Sequence, residues 1–332
     1  MLKESKLIYN IITRKTILLL WQITGRCSFH CKICRIWKAG HTSEEELTIV
    51  QIKEVLNKLY KLRPLLITLA GGEPTLREDL PYIVKEVSKN HFSSIITNGF
   101  YLERDLASSL FRSGLRDAMV SLDYADPDKH DWQRGMKGAF HMAVNALEYL
   151  RDARISNQSK VRILTVLMHD NLNELEGLLL IAKELNISLS LTLYSDHLGK
   201  QNNYKPDGDV SKYLIHLKNK YRNFDSASAY LSSFDSSLKN GITNCGAGSR
   251  FLTINPRGQF ARCIDRYDLP CADPFVDSTE EILKKLKFEQ NQDACSRCWT
   301  SCRGLADVIG TSGMRSYKDF IHASRPLQEE DR

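Results

Sequence analysis

Three cysteines near the start of the chain have a spacing that suits metal binding. Cys27, Cys31 and Cys34 are separated by three and by two residues, so a single loop can present all three thiolates. Such a set can hold three irons of a 4Fe-4S cube and leave the fourth iron open, and open positions are where cofactor chemistry takes place. The alternatives are a zinc site or three unrelated core thiols, because free cysteine is often a small buried apolar residue.

Cysteine usage also indicates the compartment. The chain has nine cysteines, and six of them form two tight groups within residues 27–34 and 295–302, a ligand-like spacing that differs from a disulfide framework. The apolar run from Ile17 to Trp21 is too short to cross a bilayer, and the N-terminus lacks the continuous apolar region of a secretion signal. We therefore expect a cytoplasmic protein that does not associate with membranes.

Composition places few limits on function. The 332 residues are 42% hydrophobic and 26% charged, which is ordinary for a globular protein and does not favour disorder. Lys and Arg total 46 against 40 Asp and Glu, a formal charge of +6 without a dense basic run. This balance gives weak support to nucleic-acid binding, so we expect no nucleic-acid partner, and mild support to an acidic ligand.

Apolar runs alternate with amphipathic segments in a pattern that predicts an α/β fold. Each predicted strand but the last is followed by an amphipathic helix, as in a parallel sheet covered by helices. A capping box from Ser43 to Glu46 predicts where the first of these helices begins, and residues 123–138 are predicted to form a polar loop. The predicted strands are Ile17–Ile23, Leu65–Ala70, Ser94–Thr97, Ala118–Leu122, Val161–Met168 and Ile187–Tyr194. We expect a partial (β/α)6 TIM-like barrel followed by a small C-terminal β-hairpin and helix domain.

Residues with chemical potential follow several of these strands. Cys27–Cys34, Gly71–Glu73, Thr97–Asn98 and Ser121–Asp123 lie at or just past the ends of the first four strands. Functional loops of such barrels lie at the carboxyl ends of the strands. We therefore expect these four segments to converge on one mouth.

The motifs in this arrangement resemble those of the radical S-adenosylmethionine (SAM) enzymes. The family's C-x3-C-x2-C loop falls on Cys27, Cys31 and Cys34. Its glycine-rich motif falls on Gly71, Gly72, Glu73 and Pro74. One departure is Ile33, which stands where the family usually has an aromatic residue that packs near adenine.

The resemblance implies a reaction and a set of cofactor contacts. The open iron of a 4Fe-4S cluster would chelate SAM, and an electron passed into the sulfonium would yield a 5'-deoxyadenosyl radical that abstracts hydrogen from a substrate. The glycines would let the backbone approach the methionine portion, and Glu73 would meet its ammonium group. By the same similarity Ser121 and Arg134 would contact the ribose and carboxylate of SAM, and Asn98 is a further expected contact at a strand end.

The C-terminal region resembles the SPASM/twitch extensions of this family. Cys245, Gly258 and Cys263 satisfy the C-x9-15-G-x4-C signature, with a turn at 255–258 that predicts a hairpin between the two cysteines. The similarity implies one auxiliary 4Fe-4S cluster, although a zinc site from the same thiols is an alternative. The expected ligands are Cys245, Cys263, Cys295 and Cys298, with Cys302 as an alternative. Cys271 is interpreted as a bystander or, less favoured, as a thiol that returns hydrogen to a substrate radical.

These expectations define five segments: a leader at 1–15, the radical SAM barrel at 16–196, a linker with helices at 197–244, the cluster domain at 245–305 and a C-terminal segment at 306–332. The leading hypothesis is maturation of a ribosomal peptide by crosslinking or epimerisation. One alternative is oxidation or rearrangement of a small sugar or aminocyclitol, and another is a metal-stabilised binding protein without radical chemistry. An electron donor such as flavodoxin or ferredoxin is the expected protein partner.

Overall fold

The computed structural model describes residues 2–308 except 14, 64, 157, 196–203, 293, 294 and 297. Much of the polar stretch 199–208, and all but three residues of the predicted segment 306–332, lie outside the described residues. The strands are β1 Leu18–Thr24, β2 Leu66–Gly71, β3 Phe92–Thr97, β4 Leu115–Ser121, β5 Lys160–Leu167, β6 Ser188–Leu193, β7 Phe251–Ile254, β8 Phe260–Ala261 and β9 Pro270–Ala272.

The helices pack mainly around this sheet. They are α1 Leu2–Ile12, α2 Ile49–Leu59, α3 Leu80–Ser88, α4 Arg104–Arg112, α5 Pro127–Arg134, α6 Ala139–Ala153, α7 Leu175–Glu184, α8 Ser211–Lys220, α9 Ser228–Leu231, α10 Phe234–Lys239 and α11 Thr279–Gln292, and residues 301–308 are also helical. No helix in the described part of the chain has the length and apolar character needed to cross a membrane.

The sheet confirms the predicted α/β fold. Its strand order is β6-β5-β4-β3-β2-β1-β7-β8-β9, and β1 to β6 pair in parallel with their neighbours. The ends of this order do not pair, so the described strands form a partial barrel. Alternate residues of β1, such as Leu19 and Trp21, are buried with the apolar faces of the helices in one large core.

Helix α1 covers the amino ends of the first strands. Its Leu7 and Ile11 form a small apolar cluster with Ile17, against which Leu18 and Leu66 pack. The opposite, carboxyl ends of the strands are left to the loops that carry the predicted site.

The prediction of a polar loop at residues 123–138 is wrong, because α5 forms within this range. Asp126 caps this helix by accepting a hydrogen bond from Lys129 N, Pro127 begins it, and Gly135 ends it with φ of 61°. The segment has no apolar face of its own, so periodicity gave no helix signal. Its boundaries are set by capping residues instead.

The predicted capping box from Ser43 to Glu46 is also wrong. Ser43–Glu45 form a short 3-10 turn, and α2 starts later, where Thr48 and Gln51 form the capping box. Glu46 instead accepts a hydrogen bond from Arg26 Nε at 2.7 Å, beside the cysteine loop.

The C-terminal residues continue the same sheet. β7 pairs in parallel with β1, placing Phe251 beside Leu18, and β7 and β8 form the predicted antiparallel hairpin. The chain also reaches β6, where Ser301 N donates to Thr192 Oγ1 at 3.0 Å. Residues after 245 therefore contact both outer strands of the six-stranded parallel set.

Candidate functional site

Backbone hydrogen bonds hold the cysteine loop against two neighbouring segments. On the β2 side, Gly72 N donates to Thr24 O at 2.9 Å and Glu73 N donates to Arg26 O at 2.7 Å. On the α5 side, Lys32 N donates to Gln133 O at 2.9 Å. The loop that presents the three cysteines is therefore fixed before any metal binds.

The glycine pair is needed for this close approach. A Cβ atom at Gly72 would lie 1.9 Å from Arg26 O, and one at Gly71 would lie 2.1 Å from Thr24 O. Gly71 also has φ of 130°, which L side chains rarely adopt. The space that side chains would need is thus filled by the cysteine loop itself.

One of the three loop thiols is buried and two are half-buried, and nitrogen donors lie near two of the sulfurs. Cys31 is buried, and Phe29 and Ala139 pack with it. Asn98 Nδ2 lies 4.0 Å from Cys27 Sγ. Arg134 Nη1 lies 4.0 Å from Cys31 Sγ.

The surroundings of these thiols favour their neutral form in the metal-free protein. Burial raises the pKa of Cys27 to about 12, and the neighbouring Cys31 adds to this shift. Burial likewise raises the pKa of Cys34 to about 11. Metal ions stabilise the deprotonated thiolate. Three thiols on one braced loop, with donors near two sulfurs, fit a cube with one open iron.

Within the described part of the chain, no three Cys, His, Asp or Glu side chains converge closely enough to hold one metal ion. In a 4Fe-4S cluster the thiolates ligate a four-iron cube, which is larger than a single ion.

Glu73 is fully buried and joins the loops after β2 and β3. Its Oε1 accepts hydrogen bonds from Thr75 N, Thr75 Oγ1 and Thr97 Oγ1 at 2.7–3.0 Å. Its Oε2 accepts one from Asn98 N at 2.6 Å. Burial raises the pKa of Glu73, and these hydrogen bonds oppose the shift. Its contact with a SAM ammonium group stays a prediction.

Arg134 and Asp123 form a buried ion pair beside the cysteine loop. Arg134 Nη2 lies 2.6 Å from Asp123 Oδ2, and Asp123 Oδ1 accepts a hydrogen bond from Val166 N at 2.8 Å. Ser121 is the last residue of β4, two positions before Asp123, and is half-buried. Arg134 Nε has no hydrogen-bond partner among the described residues, so the guanidinium retains a donor for a ligand.

Aromatic residues surround Ile33. It belongs to a buried cluster with Tyr124, Met168 and Tyr194, against which Tyr204 packs. Tyr124 follows β4 and Tyr194 follows β6, so rings from other strand ends stand next to the position where the family usually has its own aromatic residue. The departure at residue 33 is thus accompanied by aromatic side chains from elsewhere.

Four C-terminal cysteines line one small cavity: Cys245, Cys263, Cys295 and Cys298. Burial raises the pKa of Cys298 to about 12, and the negative charges of Asp265 and of Cys245, when ionised, raise it further. Four thiols around one cavity fit a cluster with four thiolate ligands. The sequence predicts the same four cysteines as ligands, and their binding of a cluster stays a prediction.

The two remaining C-terminal cysteines do not line this cavity. Cys302 lies in the helical residues 301–308, and burial raises its pKa to about 11. Cys271 lies on β9, where its Sγ is 3.6 Å from Phe260 O, and it packs against the main core. The suggested roles of Cys302 as a ligand and of Cys271 as a hydrogen donor stay predictions.

Arg303 links two segments of the chain next to this cavity. It is fully buried and donates from Nη1 to Cys298 O at 2.8 Å and from Nη2 to Ile242 O. It therefore ties the segment before Cys245 to the segment that carries Cys298.

The sequence motifs miss one residue near the site and one contact. Gln22 on β1 is fully buried, and neither amide atom has a hydrogen-bond partner in the described ranges. Asp123 belongs to the strand-end segment Ser121–Asp123 that the sequence predicts at the site, but its ion pair with Arg134 is not predicted. The sequence does offer one signal for Gln22, because it is a polar residue within the apolar run of β1.

Comparison with known proteins gives consistent matches. Residues 21–181 match the model of the radical SAM superfamily. The mycofactocin maturase MftC of Mycolicibacterium smegmatis is 27% identical over 314 residues, covering 87% of this chain and 77% of MftC.

Two solved structures share the fold. Streptococcus suis SuiB bound to precursor peptide SuiA has a TM-score of 0.66 at 17% identity, covering 84% of this chain and 67% of SuiB. The protein anSMEcpe with bound AdoMet has a TM-score of 0.63 at 18% identity, covering 93% and 96%.

The family match includes both motifs that the structure brings together, the cysteine loop after β1 and the glycine pair after β2. The match to MftC extends over most of the chain. The protein is therefore a radical SAM enzyme, a member of the superfamily that uses a 4Fe-4S cluster and S-adenosylmethionine.

Proposed function

We propose that this enzyme matures a ribosomally made precursor peptide through hydrogen abstraction by a 5'-deoxyadenosyl radical. The observation that carries this proposal is the presence of two separate cysteine sets on one sheet, a loop of three after β1 and a cavity of four beside β7. Three thiols leave one iron of a cube for SAM, whereas four complete the ligation of a second cube.

The chain's own residues have separate parts in this proposal. Cys27, Cys31 and Cys34 hold the cluster that, when bound, supplies the electron for cleavage of SAM. Arg134 and Ser121 meet the carboxylate and ribose of SAM, and Asp123 orients Arg134. Ile33 packs toward the adenine.

Glu73, Pro74 and Asn98 belong to the same cofactor site, with Gly71 and Gly72 fixing the loop that faces it. Glu73 accepts four hydrogen bonds and so holds the loops after β2 and β3 together.

The C-terminal set holds the auxiliary cluster in this proposal. Cys245, Cys263, Cys295 and Cys298 are its ligands. Asp265, which lines their cavity, accepts a hydrogen bond from Ser195 Oγ at 2.7 Å, just past the end of β6. This bond supports an auxiliary centre that borders the barrel mouth, where a substrate radical would form.

Three relatives support a peptide substrate. The MftC match bears the name maturase, SuiB was solved with a precursor peptide, and anSMEcpe was solved with AdoMet and the Cp18Cys peptide. We propose that a reduced flavodoxin or ferredoxin in the cytoplasm supplies the electrons.

Anaerobic reconstitution tests the two-cluster assignment. We expect about eight irons per chain, four for each cube, and dithionite-driven formation of 5'-deoxyadenosine. Replacing Cys27, Cys31 and Cys34 together by Ala should remove about four irons and abolish cleavage, whereas Cys271→Ala should retain both. Survival of SAM cleavage in the triple variant would show that the assignment of the loop is wrong.

Deuterium transfer tests the substrate class. Short peptides encoded beside the gene, made with deuterated residues, should pass deuterium to 5'-deoxyadenosine, which mass spectrometry detects. Transfer from deuterated sugars or aminocyclitols, and from none of the peptides, would instead favour the small-molecule alternative. Zinc in place of iron in the C-terminal site would contradict the auxiliary cluster.

A further inference from the structure

A basic groove lies at the amino end of the sheet, away from the barrel mouth. It has a volume of about 730 Å³. Lys6 of α1 and Lys15 line one side, Lys61 and Arg63 after α2 line the other, and Ser249 completes the wall. No carboxylate belongs to this lining in the described part of the chain.

The groove also presents exposed aromatic rings. Tyr9 is 56% exposed and Tyr60 is 47% exposed. Lys15 Nζ lies 5.0 Å from the centre of the Tyr9 ring, and the Arg63 guanidinium lies 3.5 Å from the centre of the Tyr60 ring. Exposed tyrosines together with arginine are typical of protein interfaces.

One short segment separates this groove from the four-cysteine cavity. Ser249 lines the groove, whereas Phe251, two residues later, lines the cavity. Thr16 Oγ1 donates to Ser249 O at 2.6 Å, and Ile17 N donates to Arg250 O at 3.1 Å. The groove and the cavity thus both border the segment 249–251, which is hydrogen-bonded to the residues just before β1.

We propose that this groove, the basic docking groove, binds a small acidic electron-carrier protein that exchanges single electrons with the auxiliary cluster. The inference rests on the proposed second cluster. Oxidation of the reduced carrier by one electron reduces an oxidised 4Fe-4S centre by one electron, and the reverse transfer removes an electron taken from substrate.

The charges favour a protein over a small anion. Lys6 and Lys15 are exposed, and Lys61 also pairs with Glu280 at 2.5 Å. Small anions are usually held by several convergent, enclosed donors. Cations spread over a rim instead attract a partner with a complementary acidic surface and raise its association rate.

Reversal of two charges tests this docking surface. The double variant Lys6→Glu/Lys15→Glu changes two exposed lysines that the proposed catalytic site does not use. The control is Lys212→Glu, an exposed lysine at the start of α8 in a helix that contacts α7 through Lys220 and Glu176. The probe is recombinant flavodoxin hydroquinone, and its oxidation by the reconstituted enzyme is followed by anaerobic stopped flow at low and high salt.

We expect the double variant to oxidise flavodoxin at least about tenfold more slowly at low salt and to lose most of the salt dependence seen in the wild type. Lys212→Glu should match the wild type. SAM cleavage driven by dithionite should be unchanged in both variants, because dithionite needs no docking surface.

Other outcomes separate this inference from the proposed function. Equal flavodoxin rates in the wild type and the double variant, with eight irons and normal dithionite activity, would overturn the docking groove alone. Undiminished flavodoxin oxidation in Cys263→Ala/Cys298→Ala, when only the loop cluster is loaded, would show that the carrier serves that cluster instead. A wild type that binds only four irons would overturn the second cluster.

Discussion

The carbonyl oxygen of Arg26 occupies the place where a side chain at residue 72 would begin. The sequence motif predicted that glycines at 71 and 72 leave room for the methionine portion of a cofactor. The structure gives the same residues an additional reason, since both abut the backbone of residues 24–26. A glycine in this motif therefore positions the cluster loop as well as bordering the cofactor site.

Gly72→Ala should displace the cysteine loop while leaving the fold intact. A Cβ at this position meets backbone, which cannot move aside as a flexible side chain can. Misplacement of reacting groups by about 1 Å can cost about 100-fold in rate, so we expect a loss of that order in 5'-deoxyadenosine formation. Iron content, circular dichroism and the rate of SAM cleavage are the measurements.

Gly40→Ala is the matched control for this change. Gly40 has a positive φ of 65°, unlike Gly72, but an added Cβ would meet nothing within 4 Å. The Gly40→Ala variant should lose about 1 kcal/mol of stability through backbone strain and should retain SAM cleavage. Similar losses of activity in both variants would contradict the steric explanation.

His91 should make stability depend on pH. It is 2% exposed, and burial lowers its pKa to about 4, with Lys3 and Arg63 adding to the shift. Its Nδ1 accepts a hydrogen bond from Leu65 N at 3.2 Å, which requires the neutral ring. Below pH 6.5 the histidine of the unfolded chain binds a proton, whereas the buried ring of the folded chain stays neutral down to about pH 4. The contribution of His91 to the free energy of unfolding is therefore fully present above pH 6.5 and is lost as the pH falls toward 4.

Urea unfolding at pH 7.5 and 5.5 measures this contribution. We expect the wild type to lose about 1 kcal/mol more than His91→Asn between these pH values. Asparagine retains an acceptor for Leu65 N and does not titrate. Parallel pH profiles for the two proteins would show that His91 does not control this loss.

At the scale of elements, Glu73 connects two strand ends through one carboxylate. Glu73→Gln replaces either Oε2, which accepts from Asn98 N, or Oε1, which accepts the other three hydrogen bonds, by an NH2 group that can only donate. Leaving a buried donor unpaired costs about 1–3 kcal/mol, so the variant should unfold at lower urea and lose iron from the loop site. Unchanged stability with a raised Kd for SAM would instead indicate that Glu73 acts mainly on the cofactor.

Local sequence signals predicted some elements and missed others. The six parallel strands were predictable because each contains a run of apolar residues, and the core residues of these runs, such as Ile67 and Ile163, are fully buried. Helix α5 was missed because its stability comes from caps and from packing against the cysteine loop. The ion pair between Asp123 and Arg134 joins a residue that precedes α5 to the last residue of that helix. A single sequence does not show which carboxylate a buried arginine will contact.

At the scale of the whole molecule, β7 shows what a local pattern cannot predict. The turn at 255–258 indicated a hairpin, and the hairpin is present. Its parallel pairing with β1 joins residues more than 230 positions apart, and no local residue preference specifies such a partner. The separation of a barrel at 16–196 from a cluster domain at 245–305 stays a prediction, although one sheet runs through both.

We expect this shared sheet to make β1 and β7 open together. β7 forms parallel pairs with β1 from Leu18↔Phe251 to Trp21↔Ile254, so its separation would expose the edge of a central strand. Native-state hydrogen exchange in increasing urea should give opening free energies for β1 and β7 within about 1 kcal/mol of each other. The reference is β5, which is flanked by β4 and β6. If β7 exchanges at much lower urea while β1 and β5 remain protected, the C-terminal residues form a separate cooperative unit.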